Sequence, residues 1–112
     1  LCDVPLSSQV MNEEPFGPIA PVAVFDTMDE AIAIANALPY GLCSYGFTTS
    51  QTRMNRLAQE VESGIMSINH FGTSTPDTPF GGVKESGYGR EGGYLSLEAF
   101  TVTKFISHRF VG

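Results

Sequence analysis

Apolar and polar positions along the chain alternate in blocks that predict a β-α-β-α-β order. The run "IAPVAVF" at 19–25 is short and continuously apolar, as a strand buried on both faces would be. Thr27 and Glu30 follow at the three-residue spacing of a capping box and open "DEAIAIANAL", an Ala- and Ile-rich helix that Pro39 and Gly41 end. "CSYGFTT" at 43–49 reads as a second strand. Ser50 then caps a helix over 51–62, in which Met54, Leu57, Ala58 and Val61 fall at i, i+3, i+4 and i+7 and form one apolar stripe. Gly64 stops it, and "IMSIN" at 65–69 gives a third strand. Connections of this length suit parallel strands joined by right-handed crossovers.

The blocks change character on either side of this unit. Residues 1–18 read as irregular, punctuated by Pro5, Pro15 and Pro18. Residues 70–93 hold seven of the twelve glycines together with Pro76 and Pro79, and read as a long surface loop of the kind that carries function. Residues 94–100 suit one or two helical turns, and "TVTKFIS" at 101–107 alternates in β-branched and aromatic residues as a last strand does.

Composition narrows the function classes. At 42% hydrophobic and 16% charged residues, the chain is globular in type. A net charge of −6 and six scattered basic residues argue against a nucleic-acid partner. No apolar run reaches the length of a membrane span. Cys2 and Cys43 are isolated, and neither His70 nor His108 has a ligand at metal-binding spacing, so no metal site is expected. With no signal peptide at Leu1, a reduced, cytoplasmic setting is the default.

"GYGREG" at 87–92 matches G-x-G-x-x-G, the spacing of a dinucleotide-binding loop. The context is wrong for that function. "GGVKES" before Gly87 is no strand, and no long helix starts at Gly92 to face a pyrophosphate. The better reading is that Gly87, Gly89 and Gly92 hold positive-φ turns.

Four segments carry more information when taken in series: "NEEPFGPIAP" at 12–21, "ALPYGL" at 37–42, "GIMSIN" at 64–69 and "PFGGVKESGYGREGG" at 79–93. In this order and at these intervals they resemble the C-terminal part of the NAD(P)-dependent aldehyde dehydrogenase superfamily, with a flavour of the succinate-semialdehyde enzymes. The resemblance implies a three-layer, Rossmann-like parallel α/β sheet. Residues 1–100 would belong to the catalytic domain, the Gly-rich loop 70–93 included, and 101–112 would supply an oligomerisation strand and tail. It implies NAD or NADP as cofactor and a homo-oligomer joined through residues 101–107.

The resemblance also assigns residues. Glu14 would accept hydrogen bonds from the nicotinamide ribose, and Phe16 would pack on that ribose or ring. Phe80 would line the aldehyde tunnel, with Gly72 and Ser74 in the variable segment that shapes it. In the family a cysteine thiolate attacks the aldehyde, a hydride leaves, and a glutamate-activated water releases the acid from the thioester. The motif around that cysteine does not occur here, nor do the general-base glutamate and the oxyanion asparagine, so no catalytic residue is assigned. The expectation is a C-terminal portion of such an enzyme, inactive alone. The alternative is an interaction or oligomerisation module that descends from one and has lost the chemistry.

Overall fold

The computed structural model describes all 112 residues. The elements in order are α1 (Gln9–Asn12), α2 (Met28–Asn36), β1 (Tyr40–Gly41), β2 (Cys43–Gly46), α3 (Gln51–Glu60), β3 (Ile65–Ile68), β4 (Val83–Lys84) and a 3-10 helix, Tyr94–Phe100. None of the helices is long and apolar enough to cross a membrane.

The organising unit is β2-α3-β3. The two strands pair in parallel with Cys43 opposite Ile65 and Gly46 opposite Ile68, and α3 is the crossover between them. Its start follows from local chemistry: the Ser50 hydroxyl accepts the Arg53 N–H at 3.4 Å. Met54, Leu57 and Val61 are half-buried along one face, whereas Ala58 is exposed. The helix lies close over β2, since a Cβ added at Gly46 would come within 2.6 Å of Leu57 Cδ1.

α2 packs beside α3. Thr27 Oγ1 accepts the Glu30 N–H at 3.2 Å, while the Glu30 carboxylate reaches one residue beyond the reciprocal partner of a capping box, to the Asp26 N–H at 2.9 Å. Ile32, 8% exposed, is the one buried apolar side chain of the chain. Arg56 of α3 bridges Asp29 at 2.6 Å and Glu60 at 2.7 Å. The Asn36 side chain ends α2 by donating to the Glu60 carbonyl at 2.7 Å and accepting the Glu62 N–H at 2.8 Å.

Three expectations are corrected. Residues 19–25 form no strand: their one backbone partner outside the immediate turn is Leu1, which donates to Ala20 O and accepts from Val22 N, both at 2.8 Å, while the Ile19 N–H donates to the Gly17 carbonyl at 2.8 Å and Val24 is 80% exposed. Residues 101–107, whose expected partner is a neighbouring subunit, make no ladder within the chain and are exposed throughout. The nominally irregular N-terminal stretch contains α1, and the Gly-rich loop contains β4, which pairs antiparallel with β1. The chain is therefore mixed α/β, with one parallel and one antiparallel two-stranded sheet. The five-element order reduces to a single parallel unit.

Candidate functional site

Loops that leave the carboxyl ends of parallel strands are where open α/β sheets carry ligands. At that end β2 runs into Phe47 and Thr48, and β3 into Asn69, His70 and Phe71. Asn69 ties the two exits together: its Oδ1 accepts the Thr48 N–H at 2.9 Å, and its Nδ2 donates to the Thr48 carbonyl at 3.0 Å. Its φ of +62° lies in the left-handed region that asparagine tolerates best among residues with a side chain. The Phe71 ring stands 5.5 Å from Tyr45 and 5.0 Å from Phe47, which closes the exit with an aromatic cluster.

The segment from His70 to Phe80 begins at this cluster. Gly72 and Ser74 are exposed on it. Phe80 is half-buried and forms an isolated antiparallel bridge with Glu91, N–H to carbonyl in both directions at 2.6 and 2.7 Å. It lines a groove of about 430 Å³ with Leu42, Tyr88, Arg90 and Phe100.

Glu14 lies on a separate groove of about 360 Å³, together with Val10, Met11, Tyr40 and Cys43. Leu42 and Ser86 border both grooves, so the two abut across these residues. The neighbouring carboxylates differ in commitment. Glu13 accepts from Gln9 Nε2 at 2.8 Å, whereas Glu14 accepts no hydrogen bond within the chain. Phe16 is 94% exposed, its ring free on both faces. The structure thus puts Phe80 and Glu14 on two abutting grooves, while Gly72, Ser74 and Phe16 line neither of them.

The glycines of "GYGREG" have φ of +142°, +73° and +69° at Gly87, Gly89 and Gly92, as turn positions require. Only a 3-10 helix follows them, so no α-helix N-terminus points at a phosphate from this loop. The loop is held by two of its charged residues, Lys84 and Arg90. Lys84 pairs with Glu62 at 2.5 Å and also donates to the carbonyls of Asn36 and Leu38 at 3.1 Å, capping the end of α2. Arg90 forms no ion pair and donates instead to the carbonyls of Gly82 at 2.9 Å and Gly89 at 2.6 Å. Glu85 and Glu91 have no cationic partner.

A parallel βαβ unit with an aromatic cluster at its carboxyl strand ends places the chain in the α/β class. Residues 1–106 match the family described as the aldehyde dehydrogenase family, and the chain belongs to that family. It is 50% identical over 108 residues to 4-(hydroxymethyl)benzenesulfonate dehydrogenase of Comamonas testosteroni, covering 96% of this chain and 23% of that one. It is 41% identical over 107 residues to the succinate-semialdehyde dehydrogenase [NADP(+)] of Saccharomyces cerevisiae, covering 96% and 22%. Among solved structures, the P. syringae AldA indole-3-acetaldehyde dehydrogenase, a mutant in complex with NAD+ and IAA, superposes with a TM-score of 0.88 at 34% identity, over 92% of this chain and 21% of that one. The chain therefore spans between a fifth and a quarter of the length of these relatives.

Proposed function

We propose that the chain is the C-terminal portion of an NAD(P)-dependent aldehyde dehydrogenase that oxidises an aldehyde, of the semialdehyde type, to a carboxylic acid. The observation that carries this reading is the family match over residues 1–106, set beside a buried core too small for a self-sufficient enzyme. The nucleophilic cysteine and the general-base glutamate lie elsewhere in the polypeptide. In the assembled enzyme β2 and β3 extend a larger parallel sheet, and residues 101–107 find a strand partner on a neighbouring subunit.

Glu14 and Phe16 fit one edge of a nicotinamide ribose. A carboxylate with no partner in the chain can accept from both hydroxyls of a vicinal diol, each bond being charge-assisted. An aromatic ring exposed on both faces can stack against the ribose or the ring and hold its angle. Accepting the hydride is the chemistry that a bound NAD or NADP supplies there. Phe80, Gly72 and Ser74 line the path of the aldehyde: the phenyl ring excludes water from the reacting carbon, and the small loop residues leave room for the substrate's distal end.

The test compares the full-length enzyme with the 112-residue chain. With NAD or NADP and a panel of aldehydes, the full-length enzyme forms NADH or NADPH, and the chain alone forms none. Sustained turnover by the chain alone would refute the assignment of the reacting groups to another part of the polypeptide.

A further inference from the structure

Both backbone groups of Gly72 are held by side chains that precede it, one in β3 and one just past its end. Ser67, in β3, is 4% exposed and is the buried polar side chain of the molecule. Its hydroxyl donates to the Gly72 carbonyl at 3.1 Å. From the other side, His70 Nδ1 accepts the Gly72 N–H at 3.0 Å. In that bond Nδ1 is the acceptor. Both bonds span five residues or fewer, and closing them costs little chain entropy.

The clamp is referenced to the sheet. Asn69 lies between the two clamping residues and is bonded twice to Thr48 at the end of β2. Phe71, between His70 and Gly72, is packed on Tyr45 and Phe47. At its far end the loop is closed by the Phe80–Glu91 bridge. Residues 73–79 run between these two points, tied once on the way where the Gly93 N–H donates to the Pro76 carbonyl at 3.0 Å, and the position of the first point is set by two side chains that lie outside the lining itself.

We propose that Ser67 and His70 are positioning residues that clamp Gly72 and so set the aperture offered to the aldehyde, and with it how sharply the enzyme discriminates among aldehydes of different bulk. The proposal rests on the reading that Gly72, Ser74 and Phe80 line the substrate path. His70 acts through an acceptor two residues before the amide it holds. An asparagine at the same place offers an equivalent acceptor in an Asx-turn, and alanine offers none.

The experiment uses the full-length enzyme with Ser67→Ala, His70→Ala, His70→Asn and, as a probe of the lining, Phe80→Ala. Steady-state kinetics are measured with succinate semialdehyde and benzaldehyde, and amide hydrogen exchange is followed on the 69–79 segment. In His70→Ala and Ser67→Ala the segment exchanges faster, and KM rises about five-fold, the scale of one lost neutral hydrogen bond, with kcat held. The ratio of kcat/KM between the two aldehydes moves towards one in both variants. His70→Asn restores the exchange rate, KM and the ratio. Unchanged exchange and KM in both alanine variants, with Phe80→Ala altering KM, overturn the clamp and leave the lining intact. If Phe80→Ala also leaves KM unaltered, the lining falls and the proposal with it. A His70→Asn variant that behaves as His70→Ala overturns the acceptor role.

Discussion

Asn69 shows how much one side chain does at the strand ends. It occupies φ +62° and makes two bonds to Thr48. Replacing it with glycine removes the bonds but keeps the backbone comfortable, whereas alanine loses both. Asn69→Ala should therefore cost more than Asn69→Gly by about 1 kcal/mol, the left-handed penalty of a Cβ, read as the difference in unfolding free energy in the full-length enzyme. Equal losses would mean that the conformation contributes nothing. The sequence shows residues of this kind unevenly. Ser50 and Thr27 are legible as caps because their partners, Arg53 and Glu30, lie three positions away. The Asn69–Thr48 pair is separated by 21 positions and exists only once β2 and β3 are in register, so no local pattern announces it. Glu14 and Glu13 are indistinguishable as letters, and only the placement of Gln9 separates them.

The elements divide by whether their stability is local. The helices α2 and α3 and the parallel pair β2–β3 follow from apolar spacing and caps, and the sequence predicts all of them to within a few residues. "IAPVAVF" has a strand's composition without a strand's partner: composition reports the tendency to be buried, whereas a ladder requires a neighbour, and Leu1 supplies only two bonds. The β1–β4 pairing is missed for the opposite reason, since two-residue strands in a glycine-rich setting carry no period. The tie between α2 and α3 makes a prediction about pH. The hydrogen bond from Arg56 holds the Glu60 carboxyl below its usual range. A lowered folded-state value gives stability that is present above the unfolded pKa and is lost as pH falls through the folded one. Arg56→Gln should lower the melting temperature of the full-length enzyme modestly at neutral pH, because Arg56 is only half-buried and Glu60 is exposed, so solvent screens the pair. The gap between wild type and variant should close as pH drops below about 4, the ordinary carboxylate range. A gap that stays constant through acid pH would assign the effect to packing of the arginine stem instead.

The chain as a whole is built to be covered. Its radius of gyration is 19.5 Å, where a compact chain of this length has about 13 Å. Five of 112 residues are buried, and three of those are the glycines Gly41, Gly46 and Gly82. The C-terminal segment displays Phe100, Val102, Phe105, Ile106 and Phe110, each at least 75% exposed. Apolar surface of that extent and unpaired edges drive association. The isolated chain at high concentration should therefore scatter light as an oligomer, and a monodisperse monomer would contradict that. The same surface suits the proposal of a larger enzyme in which Glu14 and Phe16 would form one wall of a coenzyme pocket and the loop 70–80 one wall of the substrate path. The most direct measurement of this account is coenzyme binding and single-turnover hydride transfer in the full-length enzyme carrying Glu14→Gln. A neutral amide cannot accept the paired charge-assisted bonds, so affinity or hydride-transfer rate should fall roughly ten- to a hundred-fold. If both stay at the wild-type value, position 14 does not touch the coenzyme and the pocket assigned to this chain is wrong.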